Sequence, residues 1–176
     1  MMEAVLENER RILKAHADES DMLKGMMGMH AAFTLSDETL ALCKKHTPDY
    51  TGTHIHVAEG PGDQIDSLKK YGKRIVERLY ENGILGDKTL AIHCVHVSPA
   101  EMALLKETDT MVVHNPESNM GNAIGCGPVI RLFVEGILLG LGTDGYTNDM
   151  IESYKVGNII HKHNLCDPTV AWGEIP

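Results

Sequence analysis

Thr53-His54-Ile55-His56-Val57-Ala58-Glu59 puts two imidazoles and a carboxylate on one short stretch. Thr53, Ile55 and Val57 are β-branched and alternate with His54 and His56, the pattern of a strand. The stretch ends in Glu59 and is broken by Gly60, Pro61 and Gly62. A strand that stops there offers an imidazole and a carboxylate at its C-terminal tip. Metal-assisted hydrolysis uses that pair: a neutral imidazole to ligate an ion, and a nearby carboxylate to move protons. Taken alone, the stretch reads equally well as a half-exposed strand with polar residues on its wet face.

The elements that must position these groups can be read in order. Residues 3–17 form a helical pattern with Val5, Ile12 and Leu13 on its apolar face. Residues 22–29 read as a strand ending at His30. Ser36 can cap a helix over 37–46, with acids in its first turn. After the strand from Thr53, a helical pattern covers 63–82, interrupted near Tyr71-Gly72 and stopped by Gly83. The strand 89–92 ends at His93. Ser98-Pro99-Ala100-Glu101 is a capping box with proline at the first helical position, and opens a helix to about Thr108. The strand 110–113 ends at His114 and leads into a loop rich in Asn and Gly. A helix over 128–135 stops at Gly136. Residues 137–141 form a last strand, ending at Gly142-Thr143-Asp144-Gly145, and a helix follows over 149–163. Short apolar strands alternating with helices make an α/β protein with a parallel sheet.

The strand ends therefore carry His30, then His56 with Glu59, then His93, His114 and Asp144. Each alone has an ordinary explanation: a rim histidine, or an Asx-turn residue in the case of Asp144. In a parallel barrel the corresponding ends of all strands share one face, where active sites sit. Together they predict a shared site. A divalent metal held by His56 and Asp144 would lower the pKa of water toward neutrality, and Asp144 could orient that water. Glu59 is placed to carry a proton to a leaving nitrogen. His93 could polarise the group under attack or take a metal position. His30 and His114 are more peripheral and suit substrate orientation. Zinc and iron both fit histidine and carboxylate ligands.

Four ordered motifs, His54-Ile55-His56-Val57-Ala58-Glu59, His93-Cys94-Val95-His96, His114-Asn115-Pro116-Glu117-Ser118-Asn119 and Gly142-Thr143-Asp144-Gly145, resemble the metal-dependent amidohydrolase superfamily. The resemblance is to its aminohydrolase branch, which includes guanine deaminase, S-adenosylhomocysteine deaminase, triazine chlorohydrolases and aminohydrolases of the SsnA type. It implies a partial TIM-like (β/α) barrel of about five parallel strands, matching strands four to eight. It implies His56 as a metal ligand, Glu59 as proton shuttle, Asp144 as ligand and base, and His93 and His30 facing substrate, with His96 structural. The implied reaction is hydrolysis of a carbon–nitrogen bond other than a peptide bond, most simply deamination of a nucleobase-like amino-heterocycle. The implied cofactor is a divalent metal, zinc ahead of iron.

The family's first-strand H-x-H has no counterpart here. His161-Lys162-His163 cannot replace it, because side chains two apart on a helix diverge by about 200°. The first three strands and an accessory β-domain are also without counterparts, so a single partial-barrel domain over 1–176 is expected. Such a sheet has two open edges, which a homodimer could close. An inactive fragment keeping weak metal binding or a subunit-contact role, and a hydrolytic dehalogenase, are the alternative functions.

Composition excludes other classes. A formal net charge of −9 without a basic run argues against nucleic acid and anionic membranes. The N-terminal residues are charged throughout and lack the apolar core of a signal peptide. Cys43, Cys94, Cys126 and Cys166 are scattered, which suits reduced thiols acting as small buried hydrophobes in a cytoplasmic protein.

Overall fold

The computed structural model describes residues 1–18 and 20–175. Five parallel strands lie side by side in sequence order: β1 (Met27–Ala31), β2 (Thr53–Val57), β3 (Leu90–His93), β4 (Met111–His114) and β5 (Leu139–Leu141). Helices separate them: α1 (Met2–His16) before β1, α2 (Asp37–Lys45), α3 (Pro61–Tyr71) and α4 (Ile75–Glu81), α5 (Pro99–Glu107), α6 (Pro116–Gly121) and α7 (Val129–Val134), and α8 (Met150–Leu165) after β5. This is the α/β arrangement expected from the alternation of strand and helix patterns.

The covered and open faces of the sheet follow from side-chain alternation. In β1 the buried residues are Met27, Met29 and Ala31; in β2 they are Thr53, Ile55 and Val57. Met27, Met29, Ile55 and Val57 join Leu40, Ile75, Leu79, Leu105 and Leu132 in one core between sheet and helices. Gly28, His30 and His54 point the other way and are exposed, while His56 is half-buried.

Two polar devices lock the helical layer. Ser98 and Glu101 form the expected capping box at the start of α5, with Glu101 Oε2 accepting from Ser98 N at 2.8 Å. The buried guanidinium of Arg78 donates to Asp37 and to the carbonyls of Ala32 and Leu35, and lies 3.7 Å from the Tyr71 ring centroid.

Several boundaries differ from the sequence reading. Val5 and Ile12 are buried as expected, but Leu13 is exposed and Ala15 completes the buried stripe of α1. β1 starts at Met27, where pairing with Thr53 begins, and the apolar residues from Met22 have no strand partner. β5 is shorter than 137–141. The segment after His114, expected as a loop, contains α6 with Pro116 at its first turn. Cys43 and Cys94 are buried as expected, but Cys126 is half-buried and Cys166 is exposed. Among the described residues, no helix is long and apolar enough to cross a membrane.

Candidate active site

The C-terminal ends of β2, β3 and β5 all leave the sheet through left-handed backbone on non-glycine residues: Ala58 (φ 49°), His93 (φ 74°), Cys94 (φ 49°) and Asp144 (φ 55°). Such conformations are costly and persist where the surroundings impose them, commonly at functional sites. At β3 the consequence is specific. The register pairs His93 with Val57, whose side chain faces the helices. Simple alternation would send His93 to that covered side. Its left-handed φ breaks the alternation, and its ring stacks instead on His56, centroids 5.4 Å apart.

Glu59, His93 and Asp144 converge. One ligand atom from each lies within 4.8 Å of the others. His93 Nε2 is 3.7 Å from Glu59 Oε2 and 3.7 Å from Asp144 Oδ2, and the His93 side chain is wholly buried. Its Nδ1 donates to Asn119 Oδ1 at 2.9 Å; in the neutral ring this leaves Nε2 as the acceptor nitrogen, without a hydrogen-bond partner. A bare ring nitrogen facing two carboxylate oxygens is an electrostatically unfavourable arrangement unless a cation or a proton donor stands between them. One imidazole and two carboxylates are a donor set that suits zinc or iron(II).

Each carboxylate is held. Asp63 Oδ2 accepts from the N–H groups of Glu59 and Gly60 at 3.0 and 3.2 Å, pinning the turn that carries Glu59. Asp144 Oδ2 accepts from Ser118 Oγ at 2.6 Å, and Oδ1 from Gly145 N at 2.7 Å. The Ser118 hydroxyl, above all, holds the Asp144 carboxyl below its ordinary pKa, and the Gly145 N–H, His93 and His56 add to that against the opposing effect of burial.

His56 borders this group but falls outside it. Its Nδ1 donates to the His30 carbonyl at 3.3 Å, which presents Nε2 as its free acceptor. His30 is exposed, tilted over His56 at 5.7 Å, with Nδ1 against Thr34 Oγ1 at 3.1 Å. His96 bonds the Ile124 carbonyl through Nε2 at 2.8 Å, away from the site.

His114 departs from the expectation of a substrate contact. It is 2% exposed, and its Nε2 lies 3.1 Å from Nε2 of His161 on α8. α6 and α8 cover this strand end, so we assign His114 to packing. Burial, reinforced by His161 and His93, pushes its pKa down to about 3, and burial lowers that of His161 as well. The unfolded imidazole, near 6.5, takes up a proton that the folded one refuses. Stability should therefore fall as pH drops from about 6.5 toward 3, by up to about 1.4 kcal/mol per pH unit from His114, with His161 acting in the same direction. Urea unfolding across that window, compared with His114→Asn, measures it: the variant's slope should be shallower, and equal slopes would refute the assignment.

Sequence reasoning missed Ser118, Asn119 and His161. The first two stand in the quoted His114-to-Asn119 motif, and Pro116 ahead of them was an available helix-start signal.

The fold and the strand-end site together define a class, and the sequence places the chain in it. The chain belongs to the amidohydrolase family, whose model matches residues 2–172. It is 38% identical over 177 residues to a 5'-deoxyadenosine deaminase of Methanothermobacter thermautotrophicus, covering 96% of this chain and 41% of that protein. It is 35% identical over 175 residues to a 5-methylthioadenosine/S-adenosylhomocysteine deaminase of Syntrophomonas wolfei, covering 96% of this chain and 41% of that protein. The chain thus spans about two-fifths of the length of these relatives. Among solved structures, a zinc-bound adenosine deaminase from Xanthomonas campestris superposes with a TM-score of 0.83 at 26% identity, over 93% of this chain and 38% of that one. A guanine deaminase from C. acetobutylicum shares the fold, with a TM-score of 0.79 at 24% identity over 92% of this chain and 41% of that one.

Proposed function

We propose that this chain supplies the proton-transferring and part of the metal-holding side of a metal-dependent aminohydrolase that deaminates a small, adenosine-like amino-heterocycle. The observation that carries the reading is the unpartnered Nε2 of buried His93 facing Glu59 and Asp144. A bound divalent metal would supply water with a pKa lowered toward neutrality. Zinc is preferred to iron because the Xanthomonas structure is described with zinc. His56, through its free Nε2, and Asp144 would hold the ion, with His93 as a further ligand or as the group that polarises the ring under attack. Asp144 would orient that water, and Glu59 would carry a proton to the departing nitrogen. His30, exposed on the open face, orients substrate.

The deaminase reading is preferred to hydrolytic dehalogenation because the relatives above 30% identity are named deaminases. We further propose that the five strands work as strands four to eight of a closed barrel whose other strands add ligands. Replacing the matched segment of the Methanothermobacter relative with this chain tests both points. The chimera should release ammonia from 5'-deoxyadenosine in a zinc-dependent way. Chloride release from a chlorotriazine without ammonia release would overturn the deaminase reading.

The chain alone should bind zinc more weakly than nanomolar, since His56 and Asp144, with His93 as a third, make two or three ligands where a firm site uses three or four. Calorimetric titration measures this, and Asp144→Asn should abolish the signal. Nanomolar stoichiometric binding by the monomer would mean that further ligands in this chain complete the site.

A further inference from the structure

We infer that α6 is the positioning element of the site, with Asn119 fixing the tautomer of His93 and Ser118 fixing the carboxylate plane of Asp144. The inference rests on reading His93 and Asp144 as working groups. Two adjacent side chains on one short helix each hold a group from a different strand: Asn119 Oδ1 takes the Nδ1 proton of His93 from β3, and the Ser118 hydroxyl donates to Asp144 beyond β5. Both are buried, at 1% and 3% exposure, so neither bond competes with bulk water.

The helix is itself fixed from outside the site. Glu117, also buried, accepts from Ser153 Oγ of α8 at 2.7 Å. At the other end, Gly121 lies so close to Tyr146 that a Cβ there would fall 2.3 Å from the ring. Pro116 sits near Gly157 of α8, where an added Cβ would lie 3.6 Å from Pro116 Cγ. A helix of this length has little stability of its own; α8 and the segment after Asp144 hold it. The chain of contacts therefore runs from α8 through Glu117 to Asn119 and Ser118, and from them to the two strand ends.

The amide orientation makes the inference sharp. With Asn119 Oδ1 toward the ring, His93 carries its proton on Nδ1 and presents a bare Nε2 to the site. With the amide reversed, Nδ2 would donate to a bare Nδ1, and the proton would sit on Nε2, facing the carboxylates. Two-bond proton–nitrogen NMR of the ¹⁵N-labelled chain at fixed neutral pH distinguishes them. His93 should show a protonated Nδ1 and an unprotonated Nε2. In Asn119→Leu that preference should be lost, and Asn119→Asp, which keeps an acceptor oxygen, should restore it. Loss of a partner that orients a metal-binding imidazole typically costs about 10–100-fold in metal affinity, so zinc titration of Asn119→Leu should weaken by that factor and Asn119→Asp should not. A wild-type His93 protonated on Nε2 would overturn the inference even if no variant folds. The expected tautomer without any response to zinc would uphold the positioning role and count against the metal reading instead.

Discussion

Glu59→Gln, made in the barrel-completing chimera, should lower turnover by about 10²–10⁴-fold while leaving the zinc content nearly unchanged. The substitution keeps the size of the side chain and the turn that carries it, because Asp63 holds that turn through the backbone N–H groups of Glu59 and Gly60. What it removes is the ability to take up and release a proton. Glu59 stands past the end of β2, with its Oε2 3.7 Å from His93 Nε2, and its side chain is 26% exposed. That position gives it access both to water and to a substrate on the open face, as a shuttle needs. His56→Ala should show the opposite emphasis: metal is lost first, and activity with it. Elemental analysis beside steady-state ammonia release separates the cases. The three-atom convergence of Glu59, His93 and Asp144 makes the measurement decisive. If Glu59→Gln loses its zinc, Glu59 is a ligand. If it keeps both zinc and full turnover, Glu59 is a rim carboxylate with no part in the chemistry.

What the sequence disclosed depended on whether local or tertiary forces decide each element. β2 was legible because its β-branched residues alternate with histidines over its whole length, and the capping box at Ser98 was legible because all its parts lie within one turn. The convergence of Glu59, His93 and Asp144 followed from their common place at strand ends. The route by which His93 gets there did not: alternation points it at the helices, and only a left-handed φ, which no residue type at that position announces, turns it back. α6 was hidden because it is only six residues long and contains the poor helix formers Asn119 and Gly121. Its stability comes from Glu117, Ser118 and Asn119 bonding to residues far away in the chain. The same cover sets His114 apart, a strand-end histidine like the others until α6 and α8 close over it.

Glu101→Ala should cost about 2–4 kcal/mol of folding stability, because each buried donor left without its acceptor costs about 1–3 kcal/mol. Glu101 is 2% exposed, and both its oxygens are fully used. Oε1 accepts from Gln64 Nε2 at 3.0 Å and Val76 N at 3.2 Å; Oε2 accepts from Arg74 Nε at 2.7 Å and Ser98 N at 2.8 Å. Truncation takes an acceptor from four donors, leaves the buried Val76 N–H without its partner, and removes the second half of the α5 capping box. The loss reaches toward the site, because Arg74 Nη2 and Gln64 Nε2 also hold the carbonyl of His96, at 2.8 and 3.1 Å, in the segment that follows His93. Glu101→Gln should recover little of this, since its amide nitrogen would meet donors already in place. Glu107→Ala is the control: that exposed carboxylate on the same helix bonds only the hydroxyl of Tyr80 at 2.9 Å among the described residues, and should cost about 0.5 kcal/mol or less. Urea unfolding with a shared m-value compares the three. Because a domain of this kind has about 5–15 kcal/mol in all, Glu101→Ala should unfold at markedly lower urea. A loss under about 1 kcal/mol would show that the network is worth no more than a surface ion pair, and that the segment after His93 is held by packing alone.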